Sequence, residues 1–281
     1  MYMYYKNDAG KIDFRFGGDY PVRVTDIDGL YPQERIFNTI SYADIDGVDS
    51  VSSSVAGRTV IVGGDIKLSN KQFLRDILMV LDKPGELYMD FGEKKRKLVC
   101  RNAHFVPGER NNRYMRFVIT FSSDMPYFYG LEEETEYIRK RQDVIGTGFI
   151  LPCVFTEKST ENDIVVNGDI ECEPVFEITC IREASAQNEE PEICVWNKTT
   201  GESIKLCLYL LKGEVIEVDV ENRKITSNLR GNMLGCISED TFLHRFLLVR
   251  GINHIEVISN NADEQMNVVC RYKCRYIEGV Y

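Results

Sequence analysis

The sequence has one tryptophan, three histidines and eight prolines in 281 residues. His104, His244 and His254 lie far apart, with no HExxH or HxH spacing, so they outline no metal or catalytic constellation. No GxSxG elbow is present. The glycine-containing stretch "VGGDIKLS" (62–69) lacks the GK[ST] ending of a phosphate loop and reads as a turn ahead of the next segment. Apolar runs are short: Cys207-Leu208-Tyr209-Leu210-Leu211 is far below the ~20 residues that cross a bilayer. The opening "MYMYYKNDAGK" has no apolar core of the length a secretory signal needs. The expectation is a soluble chain made in a cytoplasm, with no membrane, no cofactor and no metal.

Positive charge is also scarce. Lys and Arg number 34 against 44 Asp and Glu, a net charge of −10. A general nucleic-acid binder would need a basic face. A negative surface that nucleic acid slides past without sticking remains compatible. The one strong basic run, "GEKKRK" (92–97), lies between the strand-like "ELYMDF" and "LVCRN" and reads as a Lys-rich hairpin tip. Acidic "GLEEETE" reads as a solvated face.

Nine cysteines, an odd number without a tight framework, read as reduced buried thiols. Cys270 and Cys274, placed on one strand, would share a face but stand roughly 13 Å apart, too far for one disulfide or one metal. Cys172 and Cys180 are farther apart still. Asn197-Lys198-Thr199 matches a glycosylation acceptor, which a chain without a secretion signal does not use.

What the sequence does have is period-two alternation. Phe14 and Phe16; Phe117, Ile119 and Phe121; Ile204, Leu206, Leu208 and Leu210; Ile216, Val218 and Val220 each form a stripe. The longest runs Met266, Val268, Cys270, Tyr272, Cys274, Tyr276. Alternation places each set on one face of a half-buried strand. Glycines fall between the runs, Gly63-Gly64 and Pro107-Gly108 among them, and are expected in turns. "LLVRGINHIEVIS" (247–259) reads as a hairpin pinched around Arg250-Gly251-Ile252-Asn253.

"SNKQFLRDILMVLDKPG" (69–85) is different. Phe73, Leu74, Ile77, Leu78 and Leu81 fall at helical spacing, Ser69 or Asn70 can cap the start, and Pro84-Gly85 ends it. It predicts one amphipathic helix, about 70–82, laid on a sheet. "ETEYIRKRQD" (134–143) is a weaker, polar helix candidate. The charged stretch to Gly146-Thr147-Gly148 marks a boundary. The expected plan is domain 1–130, linker 131–147 and an all-β domain over 148–281.

The order of these elements resembles the distal tail, or baseplate hub, proteins of long-tailed (siphovirus-type) phages, a phage tail component family. The resemblance covers nearly the whole chain. "VTDIDGLYPQERIFNTISYADIDGVDSVSSSVAGRTVIVGGDI" is similar to the family's opening, and "FLRDILMVLDKPGELYMDF" to its helix, Pro-Gly turn and strand. "FSSDMPYFYG" (121–130) is similar to the closure of the first domain. "IVVNGDIECEPVFEITC", "ICVWNKTTGESIKLCLYLLKGEVIEVDVENRKITSN" and "FLLVRGINHIEVIS" follow in family order. Arg250 stands where proline is common, and "DMP" where "DP" is.

This resemblance implies a mainly β fold: an N-terminal strand-rich β-sandwich or barrel domain with one packed α-helix, then a galectin-like β-sandwich. It implies a structural virion component, not an enzyme, at the tail tip, synthesised in the bacterial host cytoplasm. A homo-hexameric ring would join the tail tube protein to the tail-tip or tail-associated lysin protein. A receptor-binding or baseplate protein would dock at the periphery, and DNA would pass without specific binding.

Two sets of residues bear on contacts. Tyr2, Tyr4 and Tyr5 in "MYMYY" are candidate assembly contacts, with a place on the first strand of the subunit's own sheet as the competing expectation. In an alternative reading, a carbohydrate-binding adhesion module, Trp196 stacks on a sugar ring; a buried or interface tryptophan is the competing expectation.

Overall fold

The computed structural model describes residues 2–16, 20–43, 46–68, 71–139, 141–143, 156–158, 160–186 and 189–279. It divides into two compact units, Met1–Leu131 with Arg275–Tyr281, and Glu132–Cys274.

The first unit is built on one open ten-stranded sheet. Its order runs Arg275–Tyr276, Phe128–Tyr129, Lys95–Cys100, Gly85–Asp90, Tyr2–Asn7, Gly10–Phe16, Val22–Asp28, Thr59–Lys67, Tyr114–Ser122, Asn102–Arg110. The two end strands do not pair, so the sheet does not close into a barrel. Alternation sends Met3, Tyr5, Ile12, Phe14, Val60, Val62, Phe117, Ile119 and Phe121 into one core. Aromatic rings dominate it: Phe121 packs on Tyr5 at 5.2 Å and edge-on against Phe14 at 6.1 Å between centroids.

Lys71–Leu81 is the helix, with Ser69 and Asn70 outside the described residues. It contacts strands Gly10–Phe16 and Asn102–Arg110, which three other strands separate in the sheet. The sheet therefore curls around it. Its buried face is Ile77, Val80 and Leu81, with Phe73 and Leu74 partly covered. Leu78, expected on that face, points to solvent, and Val80 takes its place. The helix's last carbonyls need partners. Asn7 Nδ2 donates to Val80 O at 2.6 Å, and both Asn7 and the Tyr5 hydroxyl donate to Lys83 O.

Gly63 and Gly64 are not in a turn, as expected from the sequence, but in the middle of strand Thr59–Lys67. A Cβ on Gly64 would stand 2.2 Å from Arg23 O and 2.8 Å from the Phe117 ring, so a large inward ring and a glycine are matched across the ladder. Pro107 and Gly108 likewise lie within a strand, at an irregularity in its pairing with Tyr114–Ser122.

Arg58 is fully buried, and among the described residues no carboxylate is bonded to it. Its guanidinium donates to the carbonyls of Gly29, Tyr31, Pro126 and Ile277 at 2.6–2.8 Å and stacks on Phe128 at 4.3 Å. Burial lowers its pKa to about 10, so it stays charged at neutral pH. This one side chain ties three loops and the C-terminal segment together.

One element stands apart. Arg35–Ile40 and Asp49–Val55 form a separate two-stranded ribbon. Every residue of its strands is exposed except Val55, which is half-buried.

The second unit is a sandwich of two sheets. One has the order Glu134–Arg139, Gln265–Tyr272, Val175–Arg182, Val215–Asp219, Lys224–Ser227, Gly231–Asn232; the other has Glu161–Val166, Gly251–Ser259, Ile193–Asn197, Ser203–Leu206. The Tyr272 hydroxyl of the first donates to Val165 O of the second. Strand Glu134–Arg139 lies where a helix and a linker were expected. Its Ile138 is buried, and the segment had no apolar stripe for a helix to bury. Gly146-Thr147-Gly148 lie outside the described residues.

Two further expectations are corrected. The long stripe from Met266 to Tyr276 is not one strand: it breaks after Tyr272, and Arg275–Tyr276 pairs with Phe128–Tyr129 in the first unit. The segment 247–259 is not a hairpin of two strands. Leu248 bridges Cys172, and the strand begins at Gly251, which has φ +92°. Buried Asn253 closes this corner, accepting from Val249 N (2.9 Å) and donating to Val249 O (2.7 Å).

Candidate assembly surface

The outward face of the ten-stranded sheet has two halves. Strand register brings Lys97, Tyr88, Tyr4 and Asp13 into one row across four strands. A parallel row runs Lys95, Asp90, Tyr2 and Arg15. Tyr4 stacks on Tyr88, centroids 4.5 Å apart and planes 11° from parallel. Lys11 Nζ sits 4.2 Å over the Tyr4 ring, and Arg15 4.0 Å over the Tyr2 ring. Tyr2 donates to Asp13, Tyr88 to Glu86, and Lys97 pairs with Glu86 at 3.1 Å. Burial and the bond to Glu86 push the Tyr88 hydroxyl well above the ordinary tyrosine range. This half satisfies its own charges and rings.

The other half mixes apolar and polar side chains. Val106, Val118, Gly63 and Asp26 face one another across four strands, and His104, Thr120, Ile61 and Asp28 form the adjacent row. Ile61, Val106 and Val118 are exposed. Gly63 leaves a hollow among them, since a Cβ there would meet nothing nearer than the Asp26 Cβ at 3.6 Å.

The tyrosines of "MYMYY" therefore divide. Tyr5 is fully buried in its own unit's core, with its pKa raised to about 12 by burial, and offers no ring to another molecule. Tyr2 and Tyr4 are half-buried in the charged half. Their strand is not an edge: it pairs with Gly10–Phe16 and Gly85–Asp90.

Trp196 lies on the outer face of the smaller sandwich sheet, 37% exposed, opposite Ser203 and Glu256. Lys198 Nζ lies 5.8 Å from its ring and bridges Glu161 (2.8 Å) and Glu256 (3.0 Å). His254 pairs with Asp163 on the same face. His104 is in the other unit, and among the described residues no group of His, Cys, Asp and Glu could hold a metal.

Cys100, Cys172, Cys180, Cys270 and Cys274 are buried, and no described cysteine is in a disulfide. Cys207 departs from the expectation of buried thiols. It lies just past the end of strand Ser203–Leu206, between buried Leu206 and Leu208, and is exposed.

Residues 167–276 match the family model of the siphovirus-type tail component, C-terminal domain. Among solved structures, the chain is similar to the SPP1 Dit (gp 19.1) protein, described as a paradigm of the hub adsorption apparatus in phages that infect Gram-positive hosts. The TM-score is 0.65 at 12% identity, over 90% of this chain and 93% of that one. It is also similar to a chain of the phage P2 baseplate in its activated conformation with Ca, with a TM-score of 0.48 at 15% identity over 100% and 99%. No curated protein matches the sequence. The second unit thus carries a siphovirus-type tail component domain, and the chain as a whole has the fold of SPP1 Dit. The resemblance to the distal tail, or baseplate hub, proteins is borne out, and these findings support a structural role in a phage tail.

Proposed function

We propose that this chain is a distal tail (baseplate hub) protein that forms a hexameric ring joining the tail tube to the tail tip and host-adhesion apparatus. The observation that carries this reading is the family match over residues 167–276. The shared fold of both units with SPP1 Dit supports it. In this reading the first domain closes the ring and continues the tube, and a galectin-like second domain projects outward. Partners are the tube protein above, the tail-tip or tail-associated lysin protein below, and a receptor-binding or baseplate protein at the rim. The net charge of −10 suits a conduit that passes DNA without holding it. The chain is structural and performs no catalysis. Immunogold labelling of intact virions tests the position: label confined to the tail tip is expected, and label along the tube or on the capsid contradicts it.

A second reading is favoured by one observation, the exposed Trp196 amid Lys198, Glu256 and His254. An aromatic face ringed by polar groups suits sugar stacking, although the fold alone does not confer it. A glycan-array signal lost in Trp196→Ala supports this reading, and a blank array removes it.

A further inference from the structure

Two sheet edges of the second unit are joined at a pair of cysteines. Ser203–Leu206 ends the four-stranded sheet, and Gly231–Asn232 ends the six-stranded one. The chain passes from Gly231–Asn232 toward the other edge through the short 3-10 turn Leu234–Cys236. It then runs antiparallel to Ser203–Leu206. Ser238 N donates to Lys205 O at 3.0 Å, Cys207 N donates to Cys236 O at 2.7 Å, and Leu206 bridges Ile237 between them. Cys207 therefore stands directly opposite Cys236.

Residues opposite one another at a hydrogen-bonded antiparallel position have Cα atoms about 5.5 Å apart and share a face. A disulfide spans Cα separations of about 4.4–6.8 Å. The backbone thus holds the two residues at bridging distance. Cys207 is exposed and Cys236 half-buried, so a small reagent in water reaches both. The other described cysteines differ. Cys100, Cys172, Cys180, Cys270 and Cys274 are buried. Burial pushes the Cys100, Cys180 and Cys270 thiols up, which withholds the reactive thiolate. Cys194 is half-buried, but it stands opposite Lys205 rather than a cysteine.

We propose that Cys207 and Cys236 are a reversible redox site, a dithiol that a small-molecule disulfide converts into a bond joining the edges of the two sheets. The Cys207 thiolate attacks one sulfur of the small disulfide. That S–S bond breaks, and its other half leaves as a thiol, taking the proton that Cys207 gave up. The Cys236 thiolate then attacks Cys207 Sγ and expels the second half as a thiol in the same way. Two protein thiols are oxidised, and one small disulfide is reduced to two thiols. The loop so closed contains the strands Val215–Asp219, Lys224–Ser227 and Gly231–Asn232, and closing it restricts the unfolded chain. The inference concerns the chain by itself and stands apart from the hub reading.

The test treats the native, fully reduced full-length chain with oxidised glutathione at mildly alkaline pH, then quenches with acid and reads the intact mass and the linked peptides. The expected product has lost two hydrogens, carries a Cys207–Cys236 link and regains its starting mass with dithiothreitol. Cys236→Ser should stop at one glutathione held on Cys207. The oxidised wild type should melt higher than the reduced one, a shift absent from Cys236→Ser. Glutathione retained on both Cys207 and Cys236 of the wild type overturns the inference. So does a bond from Cys207 to another cysteine or to a second copy, and so does a product in which both thiols stay free. An oxidised chain that melts no higher than the reduced one overturns the joining of the two edges.

Discussion

The two halves of one sheet exterior follow different rules. Around Tyr2, Tyr4 and Tyr88, every ring has a stacked or cationic neighbour, and Glu86, Asp13 and Lys97 have partners. Around Val118, the exposed Ile61 and Val106 stand beside Thr120, His104 and Asp26. Both halves are built on the same core, so the fold does not require the difference. A surface that closes its own contacts is stable in water as it stands. The tyrosine-rich start was the assembly candidate in the sequence: Tyr5 is buried in its own core, while Tyr2 and Tyr4 are half-buried, with ring partners within the subunit.

The strongest perturbation removes what ties the loops of the first unit together. Arg58→Met leaves the carbonyls of Gly29, Tyr31, Pro126 and Ile277 without their shared donor and should cost roughly 3–5 kcal/mol. Denaturant unfolding of the full chain reads this, and a loss under 1 kcal/mol would show that water replaces the guanidinium.

A weaker effect belongs to the second unit, which sharpens the comparison by placing charge inside. Burial raises the Glu214 pKa, but bonds from Arg230, Ser227 and Leu211 N outweigh it and hold the carboxyl below its usual value. The folded state therefore binds a proton less readily than the unfolded one. This contribution is full above about pH 4.5 and is lost as pH falls through the lower folded value. Melting temperature should fall below pH 5, and Glu214→Gln should flatten that fall while costing about 1–3 kcal/mol at neutral pH. An unchanged acid profile in the variant would place the sensitivity in other carboxylates.

Within the charged half, Tyr88→Leu removes one stacked pair and one hydrogen bond from a half-exposed face. The expected loss is at most about 1 kcal/mol, with native mass unchanged. Ile36→Ser/Phe37→Ser, on the exposed ribbon, should have the smallest effect on stability, near zero by thermal melt. Should the ribbon variant cost more than Tyr88→Leu, the comparison would be reversed.

Much of this was legible in the sequence. Strands, helix and inward stripes follow from periodicity, because burial on one face is a local pattern: Phe117, Ile119 and Phe121 alternate inward as read. What was missed depends on distant partners. Gly64 looked like a turn residue because its requirement, the Phe117 ring, lies more than fifty positions away. Glu134–Arg139 looked helical because an edge strand shows one face to water and buries little beyond Ile138. The ribbon has apolar residues at both parities, which blurs alternation, and the Asp46-Gly47 turn was its one clear signal. The open face is visible only once Ile61, Val106 and Val118 are brought side by side.

The most direct measurement is the native mass and symmetry of the purified full-length chain, by native mass spectrometry with negative-stain imaging. The account predicts a closed six-fold ring of the 32.3 kDa chain. A two-fold dimer, or a monomer at every concentration, would contradict it, because neither is the six-copy ring that the hub reading requires.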